Sequence, residues 1–361
     1  MRENKEQQLF FMRWAIQLGE RGRSTAPPNP WVGCVIVKDG EILGEGYHEF
    51  ANKKHAEVVA LEKAGVLAKG ATAYVSLEPC SHFGRTPPCV RALIDSGIQK
   101  VVIALLDPDP RVAGQGVEEL KRVGIEVIVG VGHQEAASSL APYLFQRRTK
   151  RPFCVLKSAL SLDGRTAAAD GSSQWITGDE ARSDVHLLRA QSQAILIGAQ
   201  TALLDSPRLT VRGVPLITQQ PLRVLLDSKE GIPPSGSLAD TTLAPTLIFT
   251  TSSRHKEAWE NCGAEVMFHA SFSLKEILEE LGKRGIIQAL VEGGSHLYAA
   301  FLKENLINRL VLYMGNCLLG TQGQPFIPDL LISTISQAPR WGLEGVQRFG
   351  NDVRLDFLPI E

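Results

Sequence analysis

Residues 55–57 read His55-Ala56-Glu57, and residues 79–89 read Pro79-Cys80-Ser81-His82-Phe83-Gly84-Arg85-Thr86-Pro87-Pro88-Cys89. The first triplet opens a helix-like stretch over 55–68. The second follows a β-like run over 72–76 and carries two cysteines, each placed after a proline. This is the order of a zinc-deaminase signature, H-x-E followed by P-C and a further C. His55, Cys80 and Cys89 supply three soft or borderline donors, which predicts one Zn2+ per chain with the fourth tetrahedral position left for water. A metal in such a site lowers the pKa of that water to about 7. The generic signature sets its cysteines two residues apart, whereas eight residues, 81–88, separate them here. The site closes if that segment is a loop returning to the helix start.

Glu57 decides what such a site does. Hydrolytic deamination must take a proton from the attacking water and deliver one to the departing amine, and a single carboxylate beside the metal can do both in turn. Glu57 is therefore expected as the catalytic acid and base, not as a ligand. Two alternatives stand beside this: a structural zinc site with His82 as fourth ligand, and a pair of buried cysteines with no metal. Neither gives Glu57 a purpose.

Outward from this centre the pattern is α/β. An amphipathic stretch over 6–22 precedes two short apolar runs, 31–37 and 41–46, separated by Asp39-Gly40, a hairpin signature. Beyond residue 55, β-like runs at 72–76, 100–105 and 126–129 alternate with helix-like stretches at 55–68, 89–96 and 116–123. The alternation predicts a layered α/β domain with a mostly parallel continuation of its sheet. The periodicity lapses over 146–152, placing a boundary near Lys150 and domains at 1–149 and 150–361. The second half repeats the rhythm: a helix-like 179–191, β-like 153–156, 194–197, 223–226, 246–249 and 288–291, then a helix-like 295–303.

Bulk properties narrow the class. The 361 residues exceed what one core usually holds, and 44% hydrophobic with 21% charged residues is ordinary for soluble domains. A net charge of −1 and the absence of any basic tract longer than residues 147–151 argue against a nucleic-acid partner or an acidic membrane surface. The start of the chain lacks an apolar signal core and no apolar run is long enough to span a bilayer, so a cytoplasmic protein is expected. Six sparse, irregular cysteines read as reduced thiols available to a metal.

The insert 79–89, together with Asn29-Pro30-Trp31-Val32-Gly33, Gly46-Tyr47-His48, Asp107-Pro108-Asp109-Pro110 and Gly114-Gln115-Gly116, resembles the bifunctional riboflavin biosynthesis deaminase/reductase family. The resemblance implies an N-terminal cytidine-deaminase-like three-layer α/β/α domain. It further implies a small phosphorylated pyrimidine substrate, a diaminopyrimidinone ribosylamino 5′-phosphate, which loses its 2-amino group to water. Asn29, His48, His82 and Arg85 would hold its base or phosphate. Each has an ordinary alternative, a turn at Asn29-Pro30 or a surface residue at His48 or Arg85.

In the second half no G-x-G-x-x-G is present, so a Rossmann domain is not supported. Glu292-Gly293-Gly294-Ser295 instead lies between an apolar strand and a helical stretch, where glycines allow close approach and free N–H groups can bind phosphate. This segment, residues 157–165, Ser173-Gln174-Trp175-Ile176-Thr177 and residues 198–212 resemble the same family's reductase domain, which is dihydrofolate-reductase-like in fold. The resemblance implies NADPH lined by Ala159, Trp175, Thr201, Asp205, Ser228, Gly294, Ser295, His296, Leu297, Tyr298, Ala299 and Ala300. It places Ser173, Arg189, Leu209, Arg212 and Glu292 toward the substrate, whose ribosyl C1′ receives hydride to give a ribityl chain. Arg189 and Arg212 offer planar, charge-assisted bonds to a phosphate, against the alternative that Arg189 only snorkels over its helix. Asp163, in an Asp-Gly pair, is read as structural. A homo-oligomer is a further implication. The competitors are a deaminase with an inert reductase-like half, a nucleic-acid base deaminase, disfavoured by 6% aromatic content, and a zinc-stabilised binding protein.

Overall fold

Asn4 accepts a hydrogen bond from Gln7 N while the Gln7 side chain accepts from Asn4 N, a capping box that starts α1 (Lys5–Arg21). In this computed structural model the described residues are 4–49, 54–83, 87–110, 112–215, 219–228, 231–328 and 330–360. The chain divides into two compact units, Met1–Lys150 and Arg151–Glu361.

In the first unit β1 (Gly33–Lys38) and β2 (Glu41–Tyr47) pair antiparallel across Asp39-Gly40, both with positive φ (52° and 84°), as a tight hairpin turn requires. There follow α2 (Ala56–Ala64), β3 (Thr72–Val75), α3 (Cys89–Asp95), β4 (Lys100–Ile103), α4 (Gln115–Arg122), β5 (Glu126–Val129), α5 (His133–Ser139) and α6 (Ala141–Thr149). The sheet order is β2-β1-β3-β4-β5, with β3, β4 and β5 mutually parallel. Alternation along the strands builds the layers. Cys34, Ile36, Ala73, Val75, Val101 and Ile103 point to one face, where they pack with Ala60 of α2, Leu93 of α3 and Leu120 of α4. On the other face Phe11 of α1 meets Tyr74 at 5.4 Å between ring centroids.

The second unit contains β6 (Phe153–Leu160), β7 (Arg165–Ala167), α7 (Asp179–Ala190), β8 (Ala194–Gly198), α8 (Ala199–Asp205), β9 (Leu222–Asp227), α9 (Gly236–Ala239), β10 (Thr246–Thr250), α10 (Lys256–Asn261), β11 (Glu265–Phe268), α11 (Leu274–Lys283), β12 (Gln288–Gly293), α12 (Ser295–Lys303), β13 (Arg309–Met314), β14 (Gln324–Pro325), β15 (Trp341–Phe349) and β16 (Asp352–Pro359). Nine strands form one sheet in the order β11-β10-β9-β8-β12-β6-β13-β16-β15, parallel from β11 to β13 and closed by an antiparallel pair. Cys154, Leu156, Leu196, Val224, Leu247 and Val291 form a core against Leu278 and Leu281 of α11 and Phe301 of α12. Neighbouring β8 and β12 end together at Gly198 and Gly293, the carboxyl edge where ligands of open α/β sheets bind. No helix among the described residues is long and apolar enough to cross a membrane.

Candidate active sites

His55 is the residue before α2 and holds extended backbone (φ −78°, ψ 160°), while Glu57 is the second residue of the helix, so both side chains stand at its start. Cys80 lies in the loop after β3, and Pro88 (φ −58°) precedes α3, whose first residue is Cys89. Both cysteines meet at the start of α2, as closure of the site required. His55 Nδ1 is 3.0 Å from Cys89 Sγ and 3.5 Å from Cys80 Sγ, and Cys89 N donates to Cys80 Sγ at 3.4 Å. Among the described residues these three alone form a candidate metal group, with ligand atoms all within 4.8 Å of one another. Ligands sharing one tetrahedral Zn2+ at bond lengths of about 2.0–2.3 Å stand about 3.5 Å apart, so the donor set fits the ion. His82 is not among them; its Nδ1 is buried without a partner.

The two thiols shift in opposite directions: hydrogen bonding to Cys80 and then burial push the Cys89 thiol well above the ordinary cysteine range. Hydrogen bonding from the Cys89 thiol and then from His55, against the cost of burial, pulls the Cys80 thiol well below the ordinary cysteine range. Glu57, 3% exposed, is pushed above the ordinary carboxylate range by burial. It stands outside the donor group.

His48 is buried at 3% exposure, which corrects the surface alternative. Its ring stands edge-on to His55 at 5.1 Å. Its Nδ1 is 2.7 Å from Lys54 O, which can only accept, so Nδ1 carries the proton and Nε2 accepts from Asn29 Nδ2 at 3.0 Å. Burial lowers the His48 pKa and favours this neutral form. Asn29 is thereby oriented, its Oδ1 left as the amide's acceptor, and is more than a turn residue. Arg85 lies outside the described residues.

In the second unit Glu292 ends β12 and Arg189 projects from α7. Arg189 Nε donates to Glu292 Oε1 at 2.6 Å and Nη2 to Oε2 at 2.8 Å, while Nη1 donates to Thr210 O at 3.1 Å. With side chains 14% and 5% exposed, this is a buried bidentate pair, so the snorkelling alternative is wrong. It also occupies the guanidinium expected at a phosphate. Arg212 is the more open one: it is exposed, with Nη1 on Thr210 Oγ1 at 3.2 Å and its backbone N donating to His186 Nδ1. Leu209 is buried with φ +50°, a strained backbone for a leucine beside the pair.

Thr201, in α8, lies against the β12–α12 turn. A Cβ on Gly293 would come within 2.7 Å of Thr201 Cγ2, and Gly294 holds φ +85°. Gly294 gives α12 no side-chain cap, so the N–H groups at Ser295, His296 and Leu297 remain for a ligand, the arrangement a cofactor phosphate needs. Tyr298 and Ala299 turn into the core, and Tyr298 Oη donates to Lys157 O; Ala300 is half-buried. Ala159 and Ser173 are half-buried, whereas Asp205 and Ser228 are exposed. Trp175 is 68% exposed, with Arg182 stacked on its indole at 4.2 Å. Asp163 accepts from Ser161 Oγ, Leu319 N and Gly320 N, which holds its pKa down to about 2 and gives it a structural job. The residue missed by sequence reading is Lys157, whose pKa burial lowers and Glu292 opposes. Its signal was a lysine inside the apolar run of β6, a place where a cation needs a carboxylate partner.

Comparison with known proteins matches residues 5–105 to the cytidine and deoxycytidylate deaminase zinc-binding region and residues 152–355 to the RibD C-terminal domain. The riboflavin biosynthesis protein RibD of Chlamydia trachomatis is 51% identical over 338 residues, covering 92% of this chain and 90% of its own. That of Escherichia coli is 42% identical over 366 residues, covering 98% and 99%. Among solved structures, Acinetobacter baumannii RibD superposes with TM-score 0.91 at 39% identity, covering 99% of this chain and 100% of that one. A Thermotoga maritima diaminohydroxyphosphoribosylaminopyrimidine deaminase/5-amino-6-(5-phosphoribosylamino)uracil reductase gives 0.90 at 35%, with the same coverage.

Proposed function

The chain belongs to the RibD family of riboflavin biosynthesis proteins, and on that premise we propose which of its residues perform the family's two reactions. It is a bifunctional enzyme that uses zinc and NADPH. One reaction deaminates 2,5-diamino-6-ribosylamino-4(3H)-pyrimidinone 5′-phosphate; the other reduces the ribosyl group of the product to ribityl. An inert second half is set aside, because the reductase family's model runs through residues 152–355. We assign deamination to residues 1–149 and reduction to 150–361.

His55, Cys80 and Cys89 hold the zinc, which when bound supplies a water acidified enough to attack the pyrimidine. Glu57 would take a proton from the attacking water and pass one to the departing amine; its burial keeps it able to carry a proton. Asn29, held by neutral His48, turns its Oδ1 toward the base, and His82 and Arg85 complete the hold on base and phosphate. The observation that carries this half is the 3.0 and 3.5 Å convergence of three donors beside a buried carboxylate.

In the reductase half NADPH supplies the hydride when bound. Thr201, Asp205, Ser228 and the start of α12, through the N–H groups of residues 295–297, hold it, with Ala159 and Trp175 beside it, while Tyr298 and Ala299 back that turn from the core. Ser173, Leu209, Arg212 and Glu292 face the substrate. Arg212 takes the phosphate, and Arg189 aligns the Glu292 carboxylate. The enzyme is further taken to be cytoplasmic, which fractionation of cells tests, and a homo-oligomer, which light scattering of purified protein tests.

The deciding experiment follows ammonia release and NADPH absorbance together, with zinc-replete protein and the diaminopyrimidinone ribosylamino phosphate. Ammonia release followed by NADPH loss is expected. Ammonia alone would leave the second half a scaffold, and neither signal with one zinc bound would overturn the site assignment.

A further inference from the structure

Two stretches that stand out in the sequence, Asp107-Pro108-Asp109-Pro110 and Gly114-Gln115-Gly116, contribute no side chain to the proposed chemistry. The structure gathers both around one carboxylate. Glu78 is 4% exposed, and its Oε2 accepts from Asp107 N at 3.2 Å and Gly114 N at 2.9 Å. Its Oε1 accepts from Gly116 N at 3.1 Å and Val117 N at 3.3 Å. Gly114, in the left-handed region at φ +87°, gives α4 no side-chain cap, so Glu78 caps that helix from a different segment of the chain. The first residue of the loop is tied a second time: Tyr143 Oη donates to Asp107 Oδ1 and Oδ2, both at 3.1 Å.

Glu78 stands two residues before Cys80. Its own N–H donates to Leu105 O at 2.8 Å, continuing the β3–β4 pairing to the edge of the site. Between the two, Pro79 O is packed so closely on Gly116 that a Cβ there would sit 2.3 Å away. On the other side Cys80 O accepts from Val90 N at 3.2 Å, at the start of the helix that Cys89 opens. The segment 78–80 is thus gripped from both sides, by the 107–117 loop and by α3. We propose that Glu78 is a positioning residue of the deaminase, clasping the Asp107–Val117 loop so that Cys80 is held at the spacing the metal requires. It touches neither substrate nor metal and acts through Cys80. This rests on Cys80 being a zinc ligand.

The test uses the full-length holoenzyme with Glu78→Gln, whose amide keeps one acceptor oxygen and turns an NH2 toward backbone donors. The zinc dissociation constant, measured by chelator competition, is expected to rise about 10–100-fold. The protein fully loaded with Co2+ should show shifted thiolate charge-transfer and ligand-field bands, while reductase turnover on deaminated intermediate stays at the wild-type rate. A lower melting temperature with unchanged zinc affinity and an unchanged cobalt spectrum would mean ordinary fold support and would overturn the proposal. If Glu78→Gln gives no soluble protein, Tyr143→Phe decides: it loosens the second tie on Asp107 and should weaken zinc binding by about 2–10-fold, and an unmoved constant and spectrum there overturn the clasp. Cys80→Ser separates the two readings. A zinc affinity lost in Cys80→Ser but unchanged from wild type in Glu78→Gln overturns the clasp alone, whereas a wild-type zinc affinity in Cys80→Ser overturns the ligand assignment beneath it.

Discussion

The two candidate sites handle charge in opposite ways. In the first unit a histidine and two cysteines converge within 4.8 Å, with the buried carboxylate of Glu57 beside them. In the second unit the buried carboxylate of Glu292 already has its cation, the bidentate guanidinium of Arg189. One site is arranged around a charge that must arrive from outside; the other is neutralised internally before any ligand binds. The first should therefore lose its chemistry when the ion is removed, and the second should lose its fold when the pair is broken.

Chelation tests the first half of that contrast with the largest effect. Zinc removal should abolish ammonia release and leave NADPH oxidation on supplied deaminated intermediate unchanged, and one equivalent of Zn2+ should restore deamination. Reductase loss in parallel would break the contrast. Glu57→Gln comes next: a positioned acid and base contributes about 10²–10⁴ in rate, so kcat for deamination should fall by that order with zinc still at one per chain. Normal deamination in this variant would remove the proton-transfer role.

Breaking the internal pair should act on stability. Removing one partner of a buried ion pair strands the other and costs about 3–5 kcal/mol, so Glu292→Gln should lower the unfolding midpoint of the reductase unit while the deaminase transition stays in place. The pair also has a pH signature. Burial by itself raises the Glu292 pKa, and the Arg189 guanidinium together with Lys157 and His186 more than offsets this, leaving it below the ordinary range. A depressed carboxylate stabilises fully above its unfolded value, about 4.3, and that contribution disappears as pH falls through the folded value. The stability gap between wild type and Glu292→Gln should thus be widest near neutral pH and narrow under acid titration. A gap that widened on acidification would contradict the pairing.

The same contrast explains what the sequence disclosed. His55, Glu57, Cys80 and Cys89 were legible because their residue types are costly to place together for any other purpose, and Asp39-Gly40 because its turn demands positive φ at both positions. The Arg189–Glu292 pair spans 103 residues of sequence, and nothing local signals it. Arginine therefore reads as a phosphate ligand until the fold shows its donors occupied. Lys157 and Glu78 were hidden differently, as single charged residues whose partners are a distant carboxylate and four backbone N–H groups. The closing hairpin was missed because β15 mixes glycine and charged residues along an exposed edge and is a strand only by pairing with β16.

The smallest effect sharpens the comparison inside the second unit, between a residue that supports the fold and one that waits for a ligand. Trp175 is 68% exposed, and its indole is backed by Arg182, which is fixed in turn by Thr177 O at 2.6 Å and by Asp179. An exposed ring with one face covered contributes little to folding, since most of its apolar area is still in water, yet it offers a rigid surface to an incoming cofactor ring. Trp175→Ala should then change the unfolding free energy by no more than the small range of surface substitutions, about 0.5 kcal/mol, and barely move the melting temperature. The KM for NADPH should rise about 2–10-fold, the equivalent of one aromatic contact at about 0.5–1.5 kcal/mol, and Trp175→Phe should recover most of it. A drop in melting temperature with an unmoved KM would transfer Trp175 from the cofactor site to the scaffold. Together with Glu292→Gln, it would show that both charge-backed groups of this unit serve the fold.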